Sequence, residues 1–375
     1  GFLCIAPVAT LVAPYGARLA HRMSRRHLEI GFGPANLRGR LEHEQMPGEP
    51  PSLSVDLSGN VFDLDTMLAL GGLMTGEANA DSLVDHRIAA RLKVDHFRAF
   101  DLDAGGLDAA FSVANGALGD VRATVRDFYG TALELKGGIA DIAGTLKGGA
   151  TVRLTSADPS AFFRLLADRL PPHPVLARLA ASARYYAGTE LALDLRLGLG
   201  DWPVEAKLTG SANGSRITAR LASQTLDLAD PEGMTLDASL ENPKAWIMLG
   251  QAGLPTLEID ADQDGLLTLK VEQSADADPQ VALDYSSGTT TVNIDGAARL
   301  AAQGFLDGSY RLTVDSGDIA PYLMMTGVAL PRLADGLSLN ATANIYASPE
   351  AIGIDSLDGS ADANTFNGVL SYHRQ

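Results

Sequence analysis

The chain has 375 residues and a formal charge of −17, and only 6% of it is aromatic. Residues 1–40 hold six Arg against one Glu, so the remainder is more acidic still; such a body argues against nucleic acid as a partner, because phosphate contacts need clustered Lys and Arg. Cys4 is the only cysteine, which excludes an internal disulfide framework and a cysteine-based zinc site and leaves the compartment open.

Residues 1–17 are uncharged and approach the shortest membrane span, yet Pro7 and Pro14 interrupt them and Arg18, Arg22, Arg25 and Arg26 follow. They read as a packed or irregular end ahead of a solvated basic stretch, and 1–34 is set apart as an N-terminal segment without assigned structure. The chain starts at Gly1 without a methionine and its last residues, GVLSYHR, read as a strand, so a fragment of a longer protein is expected. After the loop MPGEPP, residues 87–155 form a run of strand candidates punctuated by Gly105-Gly106, Asn115-Gly116, Gly137-Gly138 and Gly148-Gly149. Turn signals about ten residues apart predict consecutive antiparallel hairpins rather than βαβ units.

A cassette of twenty residues recurs at 152–171, 236–255 and 312–331, with a weaker copy at 55–74. Each clear copy opens on an alternating, strand-like run and reaches Asp158, Asn242 or Asp318, whose side-chain oxygen can cap a helix start. Pro159 and Pro243 follow the cap, where a missing N–H costs nothing. Leu170-Pro171, Leu254-Pro255 and Leu330-Pro331 close the copies, because proline drives its predecessor out of the helical region. The segment PPHPVLARLAASARYY adds a second helical piece to the first of them. A long period holding one short helix and several strands indicates a repeated supersecondary unit.

Strict alternation follows each cassette. Leu191, Leu193, Leu195 and Leu197 share one side of a predicted strand, with Glu190, Asp194 and Arg196 on the other. Val204, Ala206 and Leu208, then Ile217, Ala219 and Leu221, repeat the pattern. After the second clear cassette come Leu257, Ile259 and Ala261; Leu267, Leu269 and Val271; Val281, Leu283 and Tyr285; and Val292 with Ile294. After the third come Leu337, Leu339, Ala341, Ala343 and Ile345. Each repeat offers one apolar sheet face and one polar face.

About five strands of about eight residues make a face of roughly 600 Å², whereas a helix about ten residues long shields on the order of 150 Å². The rest must be buried by the sheet curling on itself, by a second sheet, or by an apolar ligand.

Familiar chemistry is missing. The seven histidines show no metal spacing and no cysteine partner. Asp260 to Gly265 imitates the start of a calcium loop, but the twelfth position falls on Val271 and the flanks are strands; Asp264-Gly265 reads instead as a tight hairpin turn. GFGPAN at 31–36 lacks the third glycine of a dinucleotide site. Tyr185, Tyr186, Trp202 and Trp246 are too scattered for a base- or sugar-stacking platform. Met248, Met324 and Met325 fall on the cassette helices, where core packing is their expected use. The carboxylates along the strands read as a solvated outer face, and neither an enzyme nor a cofactor or metal is expected.

The runs SVDLSGNVFDLDTML, HFRAFDLDAGGLDAAFSVANGALGDVRATVRDFYGTALELKGGIAD and LSLNATANIYASPEAIGIDSLDGSADANTFNGVLSYHR resemble the C-terminal region of AsmA-family proteins of Gram-negative bacteria. Asp63-Leu64-Asp65, Leu357-Asp358-Gly359 and Gly368-Val369-Leu370 carry the recurring pieces, and the resemblance covers residues 35–375. The weaker cassette at 55–74 departs from it in lacking its proline. The resemblance implies a periplasmic β-rich body attached to the inner membrane through an N-terminal anchor. It further implies a bridge-type lipid transfer role in outer-membrane biogenesis and lipid homeostasis, with phospholipid acyl chains and envelope proteins as partners.

The expected fold is mainly β: an elongated, curved antiparallel sheet built from repeated units of several strands plus one short Pro-capped helix, forming a groove. The repeat array would occupy 35–375, in units of about 55–151, 152–235, 236–311 and 312–375. Residues expected to contact lipid are Leu191, Leu193, Leu195, Leu197, Leu257, Ile259, Leu267, Leu269, Val281, Leu283, Val292, Ile294, Leu337 and Leu339. The competing expectation is a structural or adhesive β-repeat whose apolar faces seal into a dry core.

Overall fold

A computed structural model describes residues 31–32, 35–44, 50–65, 87–140, 147–225, 233–254, 256–258, 263–274, 277–300, 306–325, 327 and 336–373. The fold is mainly β, with nineteen strands and four short α-helices among the described residues. The chain divides into two compact units, one of residues 1–155 with 192–201, the other of residues 156–191 with 202–375.

The first unit runs through β1 (Gly31–Phe32), β2 (Ala35–Glu44), β3 (Ser52–Asp63), β4 (Arg87–Ala99), β5 (Leu102–Ala114), β6 (Ala117–Asp127), β7 (Ala132–Ile139) and β8 (Gly148–Ser156). From β4 to β8 every strand pairs antiparallel with the next, as the turn spacing predicts. The pair β3–β4 is parallel, with Leu53 opposite Ile88 and Leu57 opposite Leu92. A parallel pair needs a crossover connection, and this one opens with Leu64, 1% exposed and packed with Leu37, Phe62 and Val94. The rest of the weak cassette's helix lies outside the described residues. Leu53, Val55, Ile88 and Val113 form one buried cluster of this unit. In β9 (Thr189–Leu197), residues 192–197 belong to this unit, and Thr151 Oγ1 donates to Asp194 Oδ1 at 2.7 Å.

Only one of the four turn dipeptides is a hairpin turn as expected: Asn115 and Gly116, both at positive φ, join β5 to β6. The β4–β5 turn falls on Phe100 and Asp101, with φ of 53° and 59°. Gly105 and Gly106 lie inside β5, where a side chain at Gly106 would collide with the Arg126 guanidinium. Gly137-Gly138 lie in β7 and Gly148-Gly149 open β8, with Gly138 opposite Gly149, Gly137 opposite Ala150 and Gly148 opposite Ile139. A Cβ at Gly137 would lie 2.5 Å from the Gly149 oxygen, so close backbone approach is their use.

In the second unit, β10 (Val204–Ala212), β11 (Ser215–Ser223), β12 (Met234–Asn242), β13 (Gly265–Gln273), β14 (Gln280–Ser287), β15 (Thr290–Leu300), β16 (Leu306–Ser316), β17 (Leu339–Ala347), β18 (Ala351–Ala361) and β19 (Asn364–His373) pair antiparallel in chain order. Helices interrupt the order after β8, β12 and β16, as the cassettes predict: α1 (Ser160–Arg169) with α2 (Pro174–Ala181) and a 3₁₀ turn (Ala183–Tyr186), then α3 (Ala245–Gln251), then α4 (Ala320–Met325). The three cap residues work alike. Asp158 Oδ1 accepts from Ser160 N at 3.0 Å, Asn242 Oδ1 from Lys244 N at 2.7 Å and Asp318 Oδ1 from Ala320 N at 3.0 Å. These are Asx turns that aim the chain into the helix. Leu170, ahead of Pro171, is extended with φ −90° and ψ 158°, and ends α1.

Two expectations fail here. Gly265 is no turn residue: it is the first residue of β13, opposite Asn242 and Ser287, and a Cβ there would lie 2.6 Å from Met248 Cε. The strand expected at Leu257, Ile259 and Ala261 does not form at 256–258, and Ile259 and Ala261 lie outside the described residues. That stretch is a tether. Tyr185 Oη donates to Thr256 O at 3.0 Å, Thr256 Oγ1 donates to Trp246 O at 3.0 Å, and Leu257 N donates to Met325 O at 2.8 Å. Backbone and side-chain groups spent on helices are not free for a ladder.

Candidate functional site

The register of the second unit sorts its side chains into rows running across the strands. One row is Ile217, Leu240, Leu267, Tyr285, Val292, Val314, Ala341, Gly359 and Phe366. The next is Leu208, Ala219, Ala238, Leu269, Leu283, Ile294, Leu312, Ala343, Leu357 and Gly368. The third is Ala206, Leu221, Leu236, Val271, Val281, Gly296, Tyr310, Ile345, Ile354 and Leu370. No charge, amide or aliphatic hydroxyl occurs in any of them. The intervening rows point the other way and are polar: Lys207, Arg220, Asp237 and Lys270 face one another in turn, as do Thr268, Asp284, Asn293 and Thr313. Asn293 Nδ2 donates to Asp284 Oδ1 at 2.6 Å on that solvated side.

One further row on the apolar side, at the ends of the strands, is mostly polar and buried: Ser215, Asn242, Gly265, Ser287, Thr290 and Ser316. This is where the helices sit. Gln251 on α3 donates through Nε2 to Tyr185 O at 2.9 Å and Ala212 O at 3.0 Å, and accepts from Ser215 Oγ. Asn242 Nδ2 donates to Asn213 O at 3.1 Å and Ser215 Oγ at 2.6 Å. On α4, Tyr322 Oη donates to Ser287 O at 3.2 Å, and its ring meets Tyr285 edge-on at 5.9 Å. Burial, with Tyr322 alongside, pushes the Tyr285 phenol far above its ordinary range, so it stays neutral. The helices therefore close one end of the apolar face.

The three apolar rows are not sealed like a core. Val281, Leu283, Tyr285 and Ala343 are buried, but Leu267, Leu269, Val292, Ile294, Leu312 and Val314 keep part of their surface accessible. Strands about 4.8 Å apart and rows about 7 Å apart give the band a footprint of roughly 900 Å².

The expected contact residues distribute unevenly. Leu267, Leu269, Val281, Leu283, Val292 and Ile294 come together on β13, β14 and β15. Leu193, Leu195 and Leu197 lie on β9 in the first unit and Leu191 in the second, with Leu197 buried and the others half-buried. Leu339 falls in the helix-end row opposite Ser316. Leu337 precedes β17, and its N–H donates to Asp318 Oδ1 at 2.9 Å, which makes it a clamp on the α4 start. Leu257 is off the sheet and 58% exposed, and Ile259 lies outside the described residues. Leu236, Leu240, Leu312 and Val314, outside the expected set, complete the face; they alternate as cleanly as the rest but stand in the strand part of the cassettes, beside the stronger cap and proline signals of the helices.

The first unit repeats the arrangement. Leu57, Leu92, Ala109, Ala123, Leu135 and Val152 form one apolar row across β3 to β8. Arg91 with Asp108 (3.6 Å) and Arg98 with Asp103 (2.7 Å) are ion pairs with exposed side chains. Among the described residues, no group of three His, Cys, Asp or Glu is placed to hold a metal, and no helix is long and apolar enough to cross a membrane. Comparison with known protein families, with curated proteins and with solved structures returns no match.

Proposed function

We propose that this chain is a non-enzymatic lipid-binding segment of an AsmA-like protein, with phospholipid acyl chains lying along the apolar rows of its sheets and headgroups left in water. In this reading it belongs in the periplasm, attached to the inner membrane, and shelters or conducts phospholipid in outer-membrane biogenesis. The observation that supports it is the combination of an uninterrupted apolar band with side chains that remain partly accessible. An acyl chain gains about 0.8 kcal/mol for each CH₂ it buries, and a band whose only side-chain polar atoms are the Tyr285 and Tyr310 hydroxyls offers it few hydrogen-bonding groups to desolvate. The absence of charges from the rows suits a tail, not a headgroup.

The double variant Leu193→Asp, Leu269→Asp tests this. Both positions are half-buried on strands, and folding of the variant is checked by its far-UV circular dichroism. Lipid copurifying with it, quantified by mass spectrometry, is expected to fall several-fold against the parent chain. Unchanged lipid content in folded variant would overturn the reading.

A further inference from the structure

The helices of the second unit bury some of their apolar side chains against the sheet and leave others in the open. Val175 on α2 is 43% exposed, Leu254 just after α3 38%, Leu257 in the tether 58% and Met324 on α4 42%. These four follow one another along a connected ridge. A Cβ at Gly253 would lie 3.4 Å from Arg178 Nη1, which sets the end of α3 against α2 one turn from Val175. Leu257 N donates to Met325 O at 2.8 Å, which sets the tether against α4.

Arginines flank the ridge. Arg178 stands beside Gly253, and the exposed Arg184 donates through Nη2 to Tyr185 Oη at 2.6 Å, the hydroxyl that itself donates to Thr256 O next to Leu257. Residues 160–186, 244–257 and 320–325 together hold five basic side chains and one acid, Asp168, in a chain of net charge −17. Of the carboxylates at their borders, Asp158 and Asp318 each engage an oxygen at a helix start, and Glu258 follows the tether.

We infer that this ridge docks on the surface of a phospholipid bilayer containing anionic lipid, with Val175, Leu254, Leu257 and Met324 entering between the headgroups and Arg178 and Arg184 at the level of the phosphates. Exposed apolar side chains interleaved with arginine are what an interfacial contact needs: the first gain from leaving water and the second from the negative surface. Arginine suits the rim of such a patch, because its stem lies along apolar surface while its head stays wet. Charge also sets the orientation. The acidic remainder of the chain is repelled by an anionic surface, so the basic helices are the side that approaches it. The contact is separate from the apolar band of the sheet and does not depend on what that band carries.

Vesicle cosedimentation of the full chain tests this, with vesicles of phosphatidylcholine alone and of phosphatidylcholine mixed with phosphatidylglycerol, at about 0.15 M salt. The parent chain is expected to bind the mixed vesicles several-fold more tightly than the neutral ones. Leu257→Ser combined with Met324→Ser, two exposed positions whose backbone bonds are kept, is expected to lower that binding several-fold. Arg184→Gln is expected to weaken it as well, and Arg184→Lys to retain most of it. Circular dichroism and the amount of copurified lipid are expected to match the parent in every variant, so the band's ligand is read separately. Binding of the parent chain to neither vesicle, equal binding to both, or unchanged binding by the folded double variant each overturns the inference. So does a parent chain that ignores vesicles and forms a dimer which the double variant loses, since the ridge would then belong to a second copy.

Discussion

Tyr186 shows how a single side chain ties the helix of one cassette to the helix of the next. Its ring meets Phe163 of α1 edge-on at 5.5 Å, and its hydroxyl donates to Gln251 O at 2.9 Å on α3, so it links two consecutive cassettes. Burial raises this phenol from its ordinary value of 10 to about 12. The folded state therefore holds the proton more tightly than the unfolded chain. Stability from this group is fully present below pH 10 and is lost as pH rises toward about 12. The loss amounts to about 3 kcal/mol. Urea titrations across that window are expected to show a falling stability that Tyr186→Phe flattens; an equal slope in the variant would contradict this assignment. Asn242 illustrates what a sequence shows of such residues. Its capping oxygen was legible from its place ahead of Pro243, but the amide that reaches Asn213 O and Ser215 Oγ was not. Those partners belong to the β10–β11 hairpin and become neighbours only through register.

The helices illustrate the next scale. A short helix of seven residues such as α3 is marginal alone, and it persists because Ala245, Ile247, Met248 and Gly250 are buried under it. Gly250 is the tight point. A Cβ there would lie 2.5 Å from Tyr185 Cε1, in the 3₁₀ turn that precedes β9. Gly250→Ala gains helix propensity but overpacks this contact, and a net loss of about 1 to 3 kcal/mol is expected, read as a lower thermal midpoint. A midpoint at or above that of the parent chain would mean that the ring gives way without cost. Strands and helices were legible because alternation, Asx caps and Leu-Pro stops act over a few residues. Glycines were not, since the same residue serves a tight turn at Gly116, a positive φ beside the Arg126 side chain at Gly106 and close ladder approach at Gly137. Composition cannot separate these uses. Leu257 failed for a related reason: it alternates like a strand residue, while its N–H is engaged by Met325 O.

On the scale of the molecule, each unit has an apolar and a polar sheet face, and in the second unit the helices sit at one end of the strands. The alternation made the two faces legible from sequence. Their alignment into rows from β10 to β19 was not, because a slip of one residue in any pairing would turn that strand over. The hairpin turns at Asn213-Gly214 and Asp362-Ala363, which place residues at positive φ, fix two of those registers. Alignment is what converts separate greasy strand flanks into one continuous band, and continuity is what a long hydrocarbon chain requires.

The most direct test is chemical: organic-solvent extraction of the purified parent chain, followed by mass spectrometry of the extract. The account predicts phospholipid in at least stoichiometric amount, retained through washing and removed only by detergent or solvent. An extract free of lipid, from protein that is folded and was prepared without detergent, would contradict it and favour apolar faces that seal against each other.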